Sequence, residues 1–341
     1  MMQKLKRITL DTNPEDCNLN CIMCEEHSKY STFKKKLLED KGTLRRVMPK
    51  EWIKNIIADA KLLGVNEIIP STMGEPLLYK HFNEIIKGCK NNGIKLNLTT
   101  NGTFPIHGVD HWAEILLPIL SDVKISINGS SKSVSEKIMC NINFEQQLYN
   151  IETFIKKRNE YFTATGQYSS ITFQLTFMKS NMHELTAIIE MASKLGIDRV
   201  KGHQLWTHFE EIKEESFLYN PENISIWNTY VKQAHDKIQE LKENGFHTPK
   251  LENITAINTD KKSLIPEAYH CPFLGKEIWV SATGKYSPCC APDELRQSLG
   301  DFGNAKTLGL NKIINSEKYL DLLNNYKTKS LCKTCAMRKP L

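Results

Sequence analysis

Several things are scarce in this chain of 341 residues, and each scarcity excludes something. No apolar run approaches the roughly 18 residues that a membrane span needs, so no membrane role is expected. The first residues, Met1-Met2-Gln3-Lys4-Leu5-Lys6-Arg7, lack the apolar core of a secretory signal, so a cytoplasmic protein is expected. Neither charge sign has a large excess: 45 Lys+Arg against 39 Asp+Glu leaves +6, dispersed along the chain. Nucleic acid is therefore not implied as a partner, and the dense run Lys34-Lys35-Lys36 reads as a solvated loop. There is no low-complexity segment and no long internal repeat. At 40% hydrophobic and 25% charged residues, the composition excludes a disordered chain and leaves material for a real core.

Cysteine is missing from residues 141–270, yet the chain holds ten. Eight of them fall in two tight groups: Cys17, Cys21 and Cys24 near the start, and Cys271, Cys289, Cys290, Cys332 and Cys335 near the end. Disulfides do not persist in a reducing compartment, so clustered thiols read as metal or redox groups. Two metal sites on one scaffold are expected.

Periodicity supplies the scaffold. Strand patterns at Lys6–Thr12, Asn66–Pro70, Lys95–Thr100, Val123–Asn128, Ile171–Phe177 and Arg199–Leu205 alternate with helical patterns. The helices are expected at about 52–60, 80–92, 110–119, 133–159, 183–194 and 223–244. Such β-then-α repetition argues for a parallel sheet with right-handed crossovers. Six units are too few to close an eight-fold barrel, so the expected α/β fold is an open, partial (β/α)6 barrel. Its site should lie at the C-terminal strand ends. The expected organisation is a core over 1–215, a helical bridge over 216–265 and a small cysteine-rich module over 266–341.

The first motif is Cys17-x3-Cys21-x2-Cys24. Three thiolates on one loop can each take one iron of a [4Fe–4S] cube and leave the fourth iron open for chemistry. The competing reading is a zinc site completed by His27, in a non-catalytic interaction protein. A loop after the first strand of a βα array favours iron–sulfur.

On these residues the chain resembles the radical S-adenosylmethionine (SAM) enzymes, which carry this loop after strand one of a partial barrel. The resemblance implies that Cys17, Cys21 and Cys24 hold a cluster whose open iron binds SAM, and that a 5′-deoxyadenosyl radical abstracts a substrate hydrogen. Met23 stands where relatives usually carry an aromatic residue. Ser71-Thr-Met-Gly74-Glu75-Pro76 resembles the family's Gly-Gly-Glu-Pro segment, with Met73 replacing a glycine. Thr100-Asn101-Gly102 and Ser126-Ile-Asn128-Gly129 resemble the segments after strands three and four that meet SAM. Asn128 replaces the Asp of many relatives, and Lys137 stands where they place a basic partner for the SAM carboxylate.

The second motif is Cys271-x12-Gly284-x4-Cys289 followed by Cys332-x2-Cys335. Four thiols can close a second cube completely, and a zinc knuckle is the alternative. The pattern resembles the auxiliary-cluster module of the same family in its SPASM/Twitch form, as do Asp301-Phe-Gly303-Asn304 and the helix Glu317–Asn324. The chain ends six residues after Cys335, so one auxiliary [4Fe–4S] cluster is expected rather than two. Cys290 and Cys89 read as buried thiols.

The substrate end is less defined. Cys140 would suit an epimerase if its thiol faced the barrel. His203, on a strand face shared with Lys201 and Leu205, could hold substrate or relay a proton. Glu25-Glu26-His27 follows the cluster loop and could reach the same space. The resemblance implies oxidation or epimerisation of a polar small molecule such as an amino sugar. Modification of a peptide is the second reading, weakened by the lack of a peptide-recognition domain before strand one. A flavodoxin or ferredoxin is the expected electron donor.

Overall fold

The computed structural model describes residues 5–71, 73–258, 266–291, 293–335 and 337–340. Its strands are β1 (Arg7–Leu10), β2 (Glu67–Pro70), β3 (Lys95–Thr100), β4 (Leu120–Ser126), β5 (Ser170–Phe177), β6 (Arg199–Gln204), β7 (Lys250–Glu252), β8 (Glu277–Val280) and β9 (Tyr286–Ser287). They form one sheet in the order β7-β6-β5-β4-β3-β2-β1-β8-β9. Every pairing is parallel except β8 with β9. The order does not return to its start, so the barrel is open, as six βα units require.

Helices α1 (Phe33–Lys41), α2 (Lys50–Leu62), α3 (Phe82–Asn92), α4 (Gly108–Leu116), α5 (Lys132–Ile138), α6 (Phe144–Thr165), α7 (Leu185–Leu195) and α8 (Pro221–Glu243) make the connections. Strand alternation decides what they cover. Ile8, Leu10, Leu96, Leu98, Val123, Ile125, Phe173 and Val200 pack into one apolar core with helix residues such as Ile53, Ile56, Ile85 and Ile188. Each such side chain taken from water contributes about 1.5–3 kcal/mol.

The other face of the sheet is polar. Thr9 donates to Glu277 at 2.8 Å, Thr172 to Asp122 at 3.1 Å, and Arg199 to Thr172 at 3.0 Å. Arg199 also pairs with Asp122 at 2.8 Å, and Lys124 donates to Asn97. Buried ions of opposite sign hold one another in place, and removing one partner leaves the other uncompensated. The barrel floor is thereby filled, and open space remains at the C-terminal strand ends.

Two expectations change. The single helix over 133–159 is two helices, α5 and α6, separated by residues 139–143. Asn141 sits there at φ 73°, a left-handed conformation that asparagine tolerates. Asn143 caps α6 by accepting from the Gln146 N–H at 2.9 Å. The segment after residue 266, expected as a separate module, joins the main sheet: β8 runs parallel to β1, with Arg7 opposite Glu277 and Thr9 opposite Trp279. Four short helices follow: α9 (Asp293–Arg296), α10 (Leu310–Ile314), α11 (Glu317–Asn325) and α12 (Ser330–Lys333). Among the described residues, no helix is long and apolar enough to cross a membrane.

Candidate cluster and cofactor site

Beyond β1 the chain leaves the sheet as a loop that its own neighbours pin down. Leu19 and Ile22 bury their side chains with Ile138, Met139 and Met178. The Asn20 N–H donates to the Cys140 carbonyl at 3.0 Å, and the Ile22 N–H to the Ile138 carbonyl at 2.9 Å. The break between α5 and α6 therefore serves as the bed of the cysteine loop. Arg46 braces its far side, pairing with Glu15 at 2.5 Å and Glu26 at 3.1 Å.

Cys17, Cys21 and Cys24 line a cavity of about 560 Å³ at the C-terminal strand ends. Burial pushes the Cys17 thiol up to about 12 and the Cys24 thiol up to about 11, and it also raises the Cys21 thiol well above its ordinary value. Neighbouring cysteines add to these shifts, so the three thiols lie close together. Thiols this shielded are neutral until a metal takes their charge. Among the described residues, no three His, Cys, Asp or Glu side chains converge on a single metal ion. Three thiols held on one short loop can each take one iron of a cube and leave its fourth iron open. His27, the proposed fourth zinc ligand, is buried with Nε2 at 2.7 Å from the Pro14 carbonyl.

The same cavity gathers Gly74, Glu75, Pro76, Asn101, Ser126, Asn128 and His203 from four different segments. Their geometry separates positioning from contact. Glu75 is buried and accepts from the Asn101 N–H at 2.8 Å, Thr100 Oγ1 at 2.9 Å and the Leu77 N–H at 3.1 Å. It ties the end of β2 to the end of β3. Burial outweighs these three donors and lifts its carboxyl to about 7. Asn101 donates to Asn18 Oδ1 at 2.9 Å and so steadies the cysteine loop. Asn128 accepts from the Thr176 N–H at 2.8 Å, which leaves its amide NH2 for a ligand. Ahead of α5, Glu184 receives the Ser130 N–H at 2.6 Å and shapes the turn after Asn128. His203 faces the cavity with Gln174 Nε2 at 3.5 Å from Nδ1. Burial chiefly, and Lys201 next, lower its basicity.

Two expected residues lie elsewhere. Lys137 is exposed on α5 and does not line the cavity. Cys140 does not line it either. Its thiol lies with the apolar cluster beside Cys21 and 3.5 Å from the Lys137 carbonyl, and its own carbonyl holds the loop. Other lining residues carry no motif and escaped the sequence: Asp11, Gln174, Thr176, Trp279 and Arg296. Strand alternation could have flagged the first three.

The second cysteine group assembles from three segments. Cys332 feels Cys289, Cys271 and Cys335, and burial lifts it to about 11; Cys289 is raised too. Gly284 turns the β8–β9 hairpin at φ 83°, which carries Cys289 back toward Cys271. Buried Arg338 closes the arrangement, donating to the carbonyls of Tyr269 at 3.0 Å, Pro266 at 3.0 Å, Glu267 at 3.2 Å and Cys332 at 3.5 Å. Four thiols from three segments, two of which Arg338 ties together, fit a closed second cube. Cys290 instead lines the main cavity.

Comparison with known proteins agrees with this geometry. The Radical SAM superfamily matches residues 14–215, and an iron–sulfur cluster-binding domain, SPASM, matches residues 271–336. A probable GTP 3′,8-cyclase of Thermococcus kodakarensis is 26% identical over 187 residues, covering 53% of this chain and 52% of that protein. The corresponding protein of Pyrococcus abyssi is 33% identical over 89 residues, 26% of this chain and 25% of its own. The chain thus spans a quarter to about half the length of these relatives. Among solved structures, Streptococcus suis SuiB bound to precursor peptide SuiA gives a TM-score of 0.67 at 16% identity, over 98% of this chain and 71% of that one. Native anSMEcpe with bound AdoMet gives 0.64 at 15% identity, over 97% and 88%. Identities this low speak for the fold alone. With its three-cysteine loop, open βα barrel and C-terminal cysteine group, the chain belongs to the Radical SAM superfamily, with SAM, a [4Fe–4S] cluster and an auxiliary cluster as its cofactors.

Proposed function

We propose that this enzyme abstracts hydrogen from a carbon-bound position of a polar substrate and oxidises or epimerises it, with an amino sugar as the leading substrate. One observation carries the reading: the three cluster thiols and the polar residues Ser126, Gln174 and His203 open onto one cavity. Bound SAM and its cluster supply the hydrogen-abstracting chemistry. Cys17, Cys21 and Cys24 hold that cluster, and Asn128 and Ser126 offer hydrogen bonds to SAM. Cys271, Cys289, Cys332 and Cys335 hold the auxiliary cluster. Gln174 and His203 bind the substrate's hydroxyl or amino groups. Oxidation of an alcohol carbon also releases its hydroxyl proton, which neutral His203 is placed to receive, and one further electron, which the auxiliary cluster held by those four cysteines would accept. An electron donor of the flavodoxin or ferredoxin kind and a cytoplasmic setting complete the proposal; ten free cysteines suit a reducing compartment.

A peptide substrate is the second reading. Trp206 and Met73 stand half-exposed at the cavity wall, where a residue of a larger molecule could enter. SuiB, whose fold this chain shares, has been seen with a precursor peptide bound. Anaerobic holoenzyme, reductant and SAM, offered amino sugars and peptides in turn, decide between the two. Release of 5′-deoxyadenosine should rise with the true substrate class. Loss of two hydrogens from product marks oxidation, and deuterium uptake from heavy water without that loss marks epimerisation. A Cys21→Ala variant that still released 5′-deoxyadenosine would overturn the cluster assignment.

A further inference from the structure

The run Lys34-Lys35-Lys36, expected as a solvated loop, forms the first turn of α1 instead. Helix N-termini favour acidic side chains, because their unpaired N–H groups carry partial positive charge. α1 has no acid in its first turn and no side-chain cap at Thr32. No Asp or Glu occurs from residue 27 to residue 38, and Lys29, Lys34, Lys35 and Lys36 are all exposed. Among the described residues, Lys29, Lys34 and Lys36 make no ion pair, and Lys35 reaches only the exposed Glu39, at 3.9 Å. Packing does not account for the helix either, since Leu37 is its one buried residue. Leu38 follows Lys34 by four residues and Lys35 by three, so it shares their face, and it is 46% exposed. An arrangement that opposes the helix dipole and builds little core points to a role outside the fold.

Its position says which role. The Ser28 N–H donates to the Cys24 carbonyl at 3.2 Å, and Ser31 Oγ donates to the Glu25 carbonyl at 2.5 Å, so the start of α1 is tied to the cysteine loop. Phe33, the first residue of α1, lines the cavity with Cys17, Cys21 and Cys24. The exposed lysines therefore begin one residue from the wall of the cluster cavity.

We propose that the lysine face of α1 is the docking surface of an acidic electron-transfer protein. The carrier is oxidised by one electron, the cluster on Cys17, Cys21 and Cys24 is reduced by one, and no proton moves. This inference rests on the reading that a flavodoxin or ferredoxin supplies the electron. Encounters of redox proteins bury little surface, and opposite charges steer them more than packing does. Lys29 and Lys34–Lys36 supply that charge, and Leu38 supplies an apolar contact among them.

A charge reversal tests the surface. The triple variant Lys34→Glu, Lys35→Glu, Lys36→Glu places acids where a helix N-terminus favours them, so its melting temperature should hold or rise. A control with the same change in net charge carries Lys87→Glu, Lys156→Glu and Lys232→Glu, on α3, α6 and α8. Anaerobic calorimetry of the SAM-loaded holoenzyme uses oxidised flavodoxin and oxidised ferredoxin as probes. At low salt the carrier that binds the wild type should bind the α1 variant about tenfold more weakly, and salt should erase most of that difference. With that carrier reduced, release of 5′-deoxyadenosine should slow about tenfold in the α1 variant and stay near normal in the control. Photoreduced deazaflavin, a small uncharged reductant, should drive all three proteins equally. Equal affinity and rate in the wild type and the α1 variant, or an equal loss in the control, overturns the docking surface while the donor reading stands. So does finding, with donor binding unchanged, that these lysines hold phosphatidylglycerol vesicles or a second copy of the chain, read by co-sedimentation and ultracentrifugation. If neither carrier binds or reduces the wild type, the donor reading itself fails and the surface falls with it.

Discussion

Gly74 lies against the backbone of Asp16 so closely that a Cβ at position 74 would stand 2.3 Å from the Asp16 carbonyl oxygen. The Asn13 carbonyl would lie 2.4 Å from the same Cβ. Two hydrogen bonds seal the contact: the Glu75 N–H donates to the Asp16 carbonyl at 2.7 Å, and Asn13 Nδ2 to the Glu75 carbonyl at 3.0 Å. The turn after β2 and the loop before Cys17 are therefore one unit, and only glycine permits their approach.

Gly74→Ala should push the cysteine loop away from the turn. Overpacking of this kind costs about 1–3 kcal/mol, and here the opposing atoms are backbone. We expect a lower melting temperature and loss of iron from the barrel site. Metal analysis and thermal unfolding check both; full iron with unchanged melting would contradict the account.

Glu75 predicts a pH dependence. Its carboxyl is raised from 4.5 to about 7 in the folded protein, by burial first. Between those values the folded chain keeps a proton that the unfolded chain has lost. The associated stability is complete below about pH 4.5 and is lost as pH rises through about 7, at up to about 1.4 kcal/mol per pH unit. Denaturant midpoints measured from about pH 5 to pH 8 should fall for the wild type. In Glu75→Gln that slope should flatten, with a general loss of about 1–3 kcal/mol because a donor that now meets a carboxylate oxygen would face the amide NH2, itself a donor.

The auxiliary site should fail alone. Arg338→Met strips donors from the carbonyls of Tyr269, Pro266 and Glu267 and frees the segment that carries Cys271. Iron should fall from about eight to about four per chain, as it should in a Cys332→Ala, Cys335→Ala double variant. Both variants should still cleave SAM with dithionite and should make no product. Normal product formation by either would reduce the module to a vestige.

Asn128→Ala should weaken SAM binding by the roughly 0.5–1.5 kcal/mol of one hydrogen bond, a change of about two- to tenfold in Kd. Asn128→Asp keeps the acceptor for the Thr176 N–H and should fold normally. Equilibrium dialysis with labelled SAM measures both; an unchanged Kd in Asn128→Ala would remove this residue from the SAM site.

Much of this was readable along the chain because the deciding forces are local. Apolar side chains spaced by two or by three and four residues share a face whatever the fold around them, so six βα units could be counted directly. The C-x3-C-x2-C spacing confines three thiols to one short loop, and the Gly74-Glu75-Pro76 turn stands where a strand must end. The break at residues 139–143 was less legible. Its pattern is helical on both sides, and only the cap at Asn143 and the left-handed Asn141 mark the interruption.

Side-chain direction belonged to the tertiary structure. Cys140 and Lys137 sit at plausible positions in the sequence, yet the turn between α5 and α6 points them away from the cavity. Trp279 and Arg296 belong to no motif, and they reach the cavity because β8 pairs with β1 across some 270 residues of chain. The sequence alone determined the chemistry that this protein can host, since the identity and local spacing of the cysteines decide which metal group can bind. The tertiary structure decided which residues surround that chemistry, because contacts between distant segments depend on how strands pair and helices pack, and no local periodicity records them.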